Sequence, residues 1–424
     1  MQRKFFSALG LVFALNLLIK PLWIFAIDRP VQNIVGTETY GSYFAIFNLC
    51  VVFNFLLDLG ITTYLNQQKS KDAEKSLFIQ GLLLKTWLGI LYAVLLIIIA
   101  WVAGIKEKNW LVLAGLQQLL YSFFLYLRGH ITALQLFKAD AFLSILDKLL
   151  VIICCGALIY FPLAFGHISI DLFLWIQILA LATALLIALI ILISHEGMRL
   201  LNKKISITPS DLLWKALPYG LLVLLMSMHN RLDAFLLERL HVHGDREAGI
   251  YAQAYRLLDA ANMLGYLMAS FLLPFAAKHL QQIKIIQPLV RKLTIAILCI
   301  SAPLIVSCFV FAVPIQSLLY HSKDLSTAQL IPLCMTAITG YWLVQVYGTL
   351  LTAAGAIKLF MAITIPFMLL NIVLNIIFIP AHGAYAAAII AIITESCYGI
   401  TVWIVANRKI KEIAMAQNLL KLDT

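Results

Sequence analysis

Charge is scarce in this sequence. Of 424 residues only 12% are Asp, Glu, Lys or Arg, where a soluble globular chain carries roughly 25%. So few charges cannot cover a water-facing surface of this size, which excludes an ordinary soluble enzyme. Cysteine chemistry is missing too. Cys50, Cys154, Cys155, Cys299, Cys308, Cys334 and Cys397 all lie in apolar runs with no C-x-x-C spacing, so neither a disulfide framework nor a zinc site is indicated. His241 and His243 are close, but one such pair in a short polar loop is a weak metal signal. No metal and no cofactor is expected. There is no glycine-rich loop ending in Gly-Lys-Ser/Thr, so ATP hydrolysis is not read into this chain, and no nucleophile–base constellation stands out. The net charge of +11 is expected to sit in loops against anionic lipid, not on nucleic acid.

What the chain does have is long apolar runs. About twenty apolar residues cross the hydrocarbon core as a helix, and twelve such runs can be marked: 8–27, 41–65, 77–104, 110–129, 142–165, 172–194, 212–237, 249–275, 291–313, 328–354, 359–380 and 384–406. A membrane barrel would show shorter alternating segments instead. Arg3 and Lys4 precede the first run as in a signal peptide, but Asp28-Arg29-Pro30 follows it in place of a small-residue cleavage site, so it reads as a retained helix. With the N-terminus inside, the cytoplasmic loops and tails hold eighteen Lys and Arg residues. The outer loops hold six: Arg29, Lys106, Lys108, Arg239, Arg246 and Lys323. That bias places both termini in the cytoplasm.

The chain also repeats itself. Asp28-Arg29 closes the first span and Glu238-Arg239 the seventh. Gly41 and Tyr43 match Gly249 and Tyr251 at an offset of 208, and the same offset pairs Phe47 with Tyr255, Asn54 with Asn262 and Thr62 with Ser270. The expected architecture is all-α and polytopic, with two pseudo-symmetric six-helix lobes, residues 1–205 and 206–424. An even number of spans per half keeps both halves the same way up, with a substrate path between them.

Ten charges sit inside the spans: Lys20, Asp58, Lys85, Asp147, Lys148, Arg231, Asp233, Arg256, Asp259 and Glu395. Facing lipid singly they would cost on the order of 30 kcal/mol, so they must face water or one another. Arg128 and Lys215, near cytoplasmic ends, are expected to snorkel. Lys20 either snorkels toward Asp28 or stands as a cation in the lumen. Arg231 and Asp233, two apart, point to different sides, and Asp147 and Lys148, adjacent, are expected to point apart. Tyr251, Tyr255, Asp259, Asn262, Tyr266 and Ser270 form one stripe on the eighth span, with Arg256 one turn before Asp259. Tyr43, Phe47, Cys50, Asn54, Asp58 and Thr62 form another on the second. Two readings of the stripes stand: an aqueous lumen, or hydrogen bonds that join helices. Pro218, Pro274, Pro303 and Pro366 interrupt spans as kinks or hinges.

The segments Asn16 to Arg29 and Tyr40 to Ala45 resemble the opening of bacterial oligosaccharide flippases. Asn230-Arg-Leu-Asp233, Gly249-Ile-Tyr-Ala252 and Ala254-Tyr-Arg-Leu-Leu-Asp259 resemble the O-antigen and capsule repeat-unit exporters of the multidrug/oligosaccharidyl-lipid/polysaccharide exporter superfamily. The resemblance implies two lobes forming a V in the bacterial inner membrane. An undecaprenyl diphosphate-linked oligosaccharide would cross by alternating access without ATP, with its tail in the lipid bilayer. It also implies lumenal cations, for which Lys20, Lys85, Lys148, Arg231 and Arg256 stand. Asn54, Asp58, Asp233, Tyr255, Asp259 and Asn262 complete the expected substrate-binding set. The five cations are balanced by Asp58, Asp147, Asp233, Asp259 and Glu395, a departure from a purely cationic lumen. A coupling cation, proton or sodium, and a glycan polymerase or other assembly proteins are the partners implied. Rival readings are a cation-coupled multidrug exporter, a peptidoglycan-precursor flippase, and a non-transporting component of a glycan-assembly complex.

Overall fold

A computed structural model describes residues 15–62, 74–134, 136–196, 209–279, 282–320 and 325–420. The start of the first expected span (8–14) lies outside these residues, as do Arg3, Lys4, Lys69, Lys71, Arg199, Lys203, Lys204, Lys323 and Lys421. The side chains of Lys215 and Pro274 are likewise outside the description. Among the described residues the regular structure is all helical.

Residues 15–23 are helical and pass through a π-helical turn, Ile24–Asp28, into α1 (Arg29–Val35). The π turn loosens the i→i−4 ladder. Within it the carbonyl of Ala26 accepts a bond from Tyr160 Oη at 3.0 Å, which ties the first span to the fifth. Then come α2 (Thr37–Phe53), α3 (Glu74–Val102), α4 (Lys108–Ala133), α5 (Phe137–Tyr160) and α6 (Ile170–Glu196). The second half holds α7 (Pro209–Leu240), α8 (Gly244–His279), α9 (Ile283–Val310), α10 (Ala312–Tyr320), α11 (Leu325–Thr336), α12 (Ile338–Ala353) and α13 (Ile357–Leu420). Among the described residues nine helices are long and apolar enough to cross a membrane. One of these, Ile357–Ile413, is broken at Gly383 (φ 53°) and so supplies two crossings. The 36-residue α8 is long enough as well, and the expected start of the first span lies outside the described residues. The twelve-span reading stands. Pro218, Pro303 and Pro366 lie inside continuous helices.

The helices form two compact units, Met1–Phe235 and Leu236–Thr424. In the first, α4 is central and packs against α2, α3, α5 and α6. Ala184 and Ala188 on α6 are fully buried beside Phe124, Tyr126 and Leu127 of α4; small residues on one helix let the larger rings of the other approach. In the second unit α12 packs against α13 and α8, and α8 also contacts α11. Trp87, Ile97 and Trp101 on α3 are 70%, 67% and 83% exposed. Apolar surface of that extent belongs against lipid tails.

The second span is not one continuous helix. After α2 it tightens to a 3-10 turn, Asn54–Leu57, and then breaks with Leu59 (φ 43°) and Gly60 (φ 79°) in the left-handed region. A Cβ on Gly60 would come within 2.4 Å of the Ala216 carbonyl oxygen. The break therefore lies directly against the backbone of α7 on either side of Pro218, an approach that only glycine permits.

Candidate functional site

The charges expected along the spans are gathered into separate sites. The largest lies in the first unit, where the first span, α4 and α5 meet. Lys20 is half-buried, and the charges that act on it are Lys148, Arg128 and Asp147. Lys148 Nζ is 4.7 Å from the centre of the Trp23 ring and 3.5 Å from Asp147 Oδ2. The expectation that Asp147 and Lys148 point apart is corrected here. Their Cβ atoms diverge as neighbours on a helix must, but the four-carbon lysine stem brings the ammonium back to the carboxylate. Arg128 does not simply snorkel either: its Nε donates to Asp140 Oδ1 at 2.8 Å. Asn16 Nδ2 donates to Ser144 Oγ at 2.9 Å, holding the first span on α5. Tyr121, exposed on α4, lies within the electrostatic reach of Asp147 and Arg128. Three cations, two carboxylates and two polar aromatic rings thus share one side of this unit.

Lys85 and Asp58 form a second site. Lys85 is 1% exposed and its Nζ meets Asp58 Oδ1 at 2.5 Å and Ser122 Oγ at 2.7 Å, over the ring of Tyr126. Ser122 passes a bond on to the Leu57 carbonyl. Asp58 also accepts from the backbone N–H of Thr62 at 3.1 Å and from the Thr62 hydroxyl. The carboxylate therefore caps the helical residues that follow the break and neutralises a buried ammonium. Asn54 lies four residues earlier on the same stripe and donates to Gln118 Oε1 of α4 at 2.6 Å. Tyr43 and Cys50 are buried. Asn54 and Asp58 thus bond the second span to α4 and α3.

The eighth span divides its stripe. Tyr251 and Tyr255 are buried with ring centres 5.5 Å apart. Arg256 is 6% exposed, and its Nη1 lies 3.7 Å from Asp259 Oδ2. Asn262 accepts from Gln345 Nε2 of α12 at 2.8 Å. Further along, Tyr266 is 54% exposed. Arg231 on α7 reaches Asn48 Oδ1 of α2 at 3.5 Å, and Asp233 is buried.

A polar seam in the second unit escaped the sequence reading. Asn371, Asn375 and Thr394, all within α13, are buried; Asn375 Nδ2 donates to Asn371 Oδ1 at 3.0 Å and Asn371 Nδ2 to Thr394 Oγ1 at 3.2 Å. Thr364 and Tyr398 share a bond at 2.7 Å one turn away. Glu395 is 2% exposed next to this seam in the chain. Neutral amides in an apolar run bring no charge to mark them; the four-residue spacing of Asn371 and Asn375 was the available clue. Among the described residues no group of three or more His, Cys, Asp and Glu side chains is placed to hold a metal ion.

Comparison with known proteins agrees with this architecture. Residues 12–280 match the model of the family described as "Polysaccharide biosynthesis protein". The match spans more than half the chain, and the chain belongs to that family. No curated protein sequence matches. Among solved structures, the inward-facing conformation of a multidrug resistance MATE family transporter of the MOP superfamily is similar with a TM-score of 0.70 at 14% identity, covering 92% of this chain and 95% of that one. Its family's outward-facing conformation gives 0.69 at 14% identity, covering 96% and 94%. The Vibrio cholerae MATE transporter VcmN in the bent form gives 0.58 at 16% identity, covering 97% and 99%. At these identities the likeness is one of fold. The protein is a multi-pass membrane protein of the polysaccharide biosynthesis family, and its fold is similar to that of the MATE transporters.

Proposed function

We propose that this protein moves a lipid-linked oligosaccharide, carried on undecaprenyl diphosphate, across the bacterial inner membrane by alternating access, for surface polysaccharide or lipopolysaccharide assembly. Both termini are cytoplasmic, and the work is transport without catalysis. The observation that carries this reading is the partly exposed cation group of Lys20, Arg128 and Lys148 on three apolar helices. Cations on apolar helices are costly against lipid, so this side of the first unit is a wet one. It suits a phosphoryl or acidic glycan head more than a cationic drug, whose charge Lys20 and Lys148 would repel. Arg256 with Asp259, Arg231 with Asn48, Tyr255 and the neighbouring Asp233 supply further polar contacts. Asn54, Asn262 and the Asp58–Lys85 pair shape the helices that carry them. A proton or sodium ion is the coupling cation this reading calls for, and a glycan polymerase is the natural receiver of the product.

The test is reconstitution. Protein in proteoliposomes with a defined lipid-linked oligosaccharide should move the glycan to the opposite leaflet, where an added lectin or glycosidase reads it. Deletion in cells should remove surface glycan without a cell-wall defect. A cell-wall defect with surface glycan intact points to the peptidoglycan precursor instead, and drug sensitivity alone to the multidrug reading.

A further inference from the structure

The ammonium of Lys148 rests on the ring of Trp23 at 4.7 Å while touching Asp147 at 3.5 Å. Its side chain is 27% exposed, so the ring contact and the carboxylate hold it in place, with no sealed packing around it. Arg128 differs, since its Nε is committed to Asp140 at 2.8 Å. Lys20 stands on the same side, with Lys148 as its foremost charged neighbour. Arg128 also has a ring beneath it, Phe124 at 5.7 Å, but Lys148 has the closer ring and the longer carboxylate distance of the two, and its stem is flexible. A cation on an indole face is held more weakly than one bonded to an ionised phosphate oxygen. A phosphoryl group arriving beside Lys20 would therefore draw Lys148 off the ring. The indole face it leaves is flat and apolar, and lies one helical turn from Lys20. An apolar plate beside two ammonium groups matches a sugar ring bonded directly to a phosphate: the anion for the lysines, the C–H face of the ring for the indole.

We propose that Trp23 and Lys148 form a self-covering sugar-phosphate subsite, in which Lys148 covers the Trp23 ring until the diphosphate of the lipid-linked glycan recruits it and the first sugar takes its place on the indole. This rests on the transport reading above and assigns the part of the substrate recognised here. The exchange also favours release. When the head group departs, the ring takes the lysine back, so the phosphate competes with a standing partner and is not held too tightly to leave. Trp23 is then a specificity residue for the first sugar, and Lys148 reads the phosphate.

The experiment uses the full chain in lipid nanodiscs and two probes: a short-chain polyprenyl diphosphate bearing one N-acetylhexosamine, and the same polyprenyl diphosphate without sugar. Trp23→Leu is expected to weaken the sugar-bearing probe by about tenfold, the scale of one well-packed ring contact. It should leave the sugarless probe unchanged or bound more tightly, because the ring no longer competes for Lys148. Lys148→Gln is expected to weaken both probes, and Trp23→Phe to fall between wild type and Trp23→Leu on the sugar-bearing one. Equal weakening of both probes by Trp23→Leu overturns the subsite, as does an unchanged affinity of either variant for the sugar-bearing probe. If Trp23→Leu does not reach the membrane folded, Trp23→Phe and Lys148→Gln carry the same comparison. Wild-type protein that binds neither probe defeats the transport reading and the subsite together. Wild-type binding that the variants leave untouched defeats the subsite alone.

Discussion

Asn54 donates its side-chain amide to Gln118 at 2.6 Å, joining the second span to α4. The second unit repeats the device: Asn262, at the offset of 208, is bonded to Gln345 of α12 at 2.8 Å. The second and fourth spans of each half are thus pinned by an Asn–Gln pair. Amide pairs in a membrane protein are worth roughly 0.6–2 kcal/mol each. They fix register where apolar packing alone leaves a helix free to slide.

The first prediction follows from that repetition. Asn54→Leu and Asn262→Leu should each lower thermal stability in detergent, by about 1–3 kcal/mol where the remaining glutamine is left buried. Replacing both members, as in Asn54→Leu with Gln118→Leu, should recover part of the loss. Independent, additive effects in a double-mutant cycle would show that the pair does not join the helices.

The second concerns Asp58 and Lys85. Breaking a buried pair from one side strands a charge and costs about 3–5 kcal/mol, while replacing both with neutral residues is often tolerated. Lys85→Met and Asp58→Asn should each reduce the amount of folded protein in membranes. The double variant should restore the protein level and, if the pair serves structure, glycan export with it. Restored protein without export would return Lys85 to the substrate path.

A third lies at the break in α13. Gly383 has φ 53°, and a Cβ there would meet the Glu247 carboxylate at 2.3 Å. Glu247 Oε2 in turn accepts the backbone N–H of Ala384 at 2.8 Å, capping the helix that follows. Gly383→Ala is expected to destabilise by more than Glu247→Gln, because it adds backbone strain to the displaced cap; a lost helix cap costs about 1 kcal/mol. Thermal unfolding of both variants in detergent gives the order, and the reverse order removes this account.

Much of the fold was legible because hydropathy follows immersion in lipid. The places where the reading falls short have physical causes. The second span begins at Thr37, ahead of the expected 41, because Thr37, Glu38 and Thr39 make the first helical turn outside the apolar region. The tenth span is two helices, α11 and α12, that meet at Ala337, a join with no charge or glycine to mark it. At the sites, local spacing was a partial guide. It paired Arg256 with Asp259, which lie on one helix face. It missed Arg128 with Asp140, whose partnership depends on two helices folding back on each other. It also misjudged Lys148, because position on a helix fixes the Cβ and not the end of a long side chain.

Topology gives the fourth prediction. Reporter fusions after Asp171 and Asp324 should read as external, and fusions after Lys204 and Arg408 as cytoplasmic. The excess of Lys and Arg on one set of loops is the physical basis, since those residues resist translocation. Inversion of any one pair would overturn the orientation, and with it the direction of transport proposed above.

The last prediction concerns Arg256. Its guanidinium is almost wholly buried on α8 and lies 3.7 Å from Asp259. The nearby carboxylate moderates the pull of the cation on an anion. A phosphoryl head leaving water needs such a cation to offset its lost hydration. It also needs that cation to let go on the far side, which a carboxylate one helical turn away assists. Arg256→Ala should therefore abolish glycan export with protein level near normal, while Arg256→Lys keeps part of it through charge alone. Asp259→Asn is expected to be milder, since it keeps a polar group and alters only the balance. Export at the wild-type rate by an Arg256→Ala, Lys20→Ala double variant would defeat the role of both cations. A matching loss of folded protein would instead assign Arg256 to helix packing. Export per molecule of protein, measured with the membrane level of each variant, separates these outcomes because only a substrate contact changes the first while sparing the second.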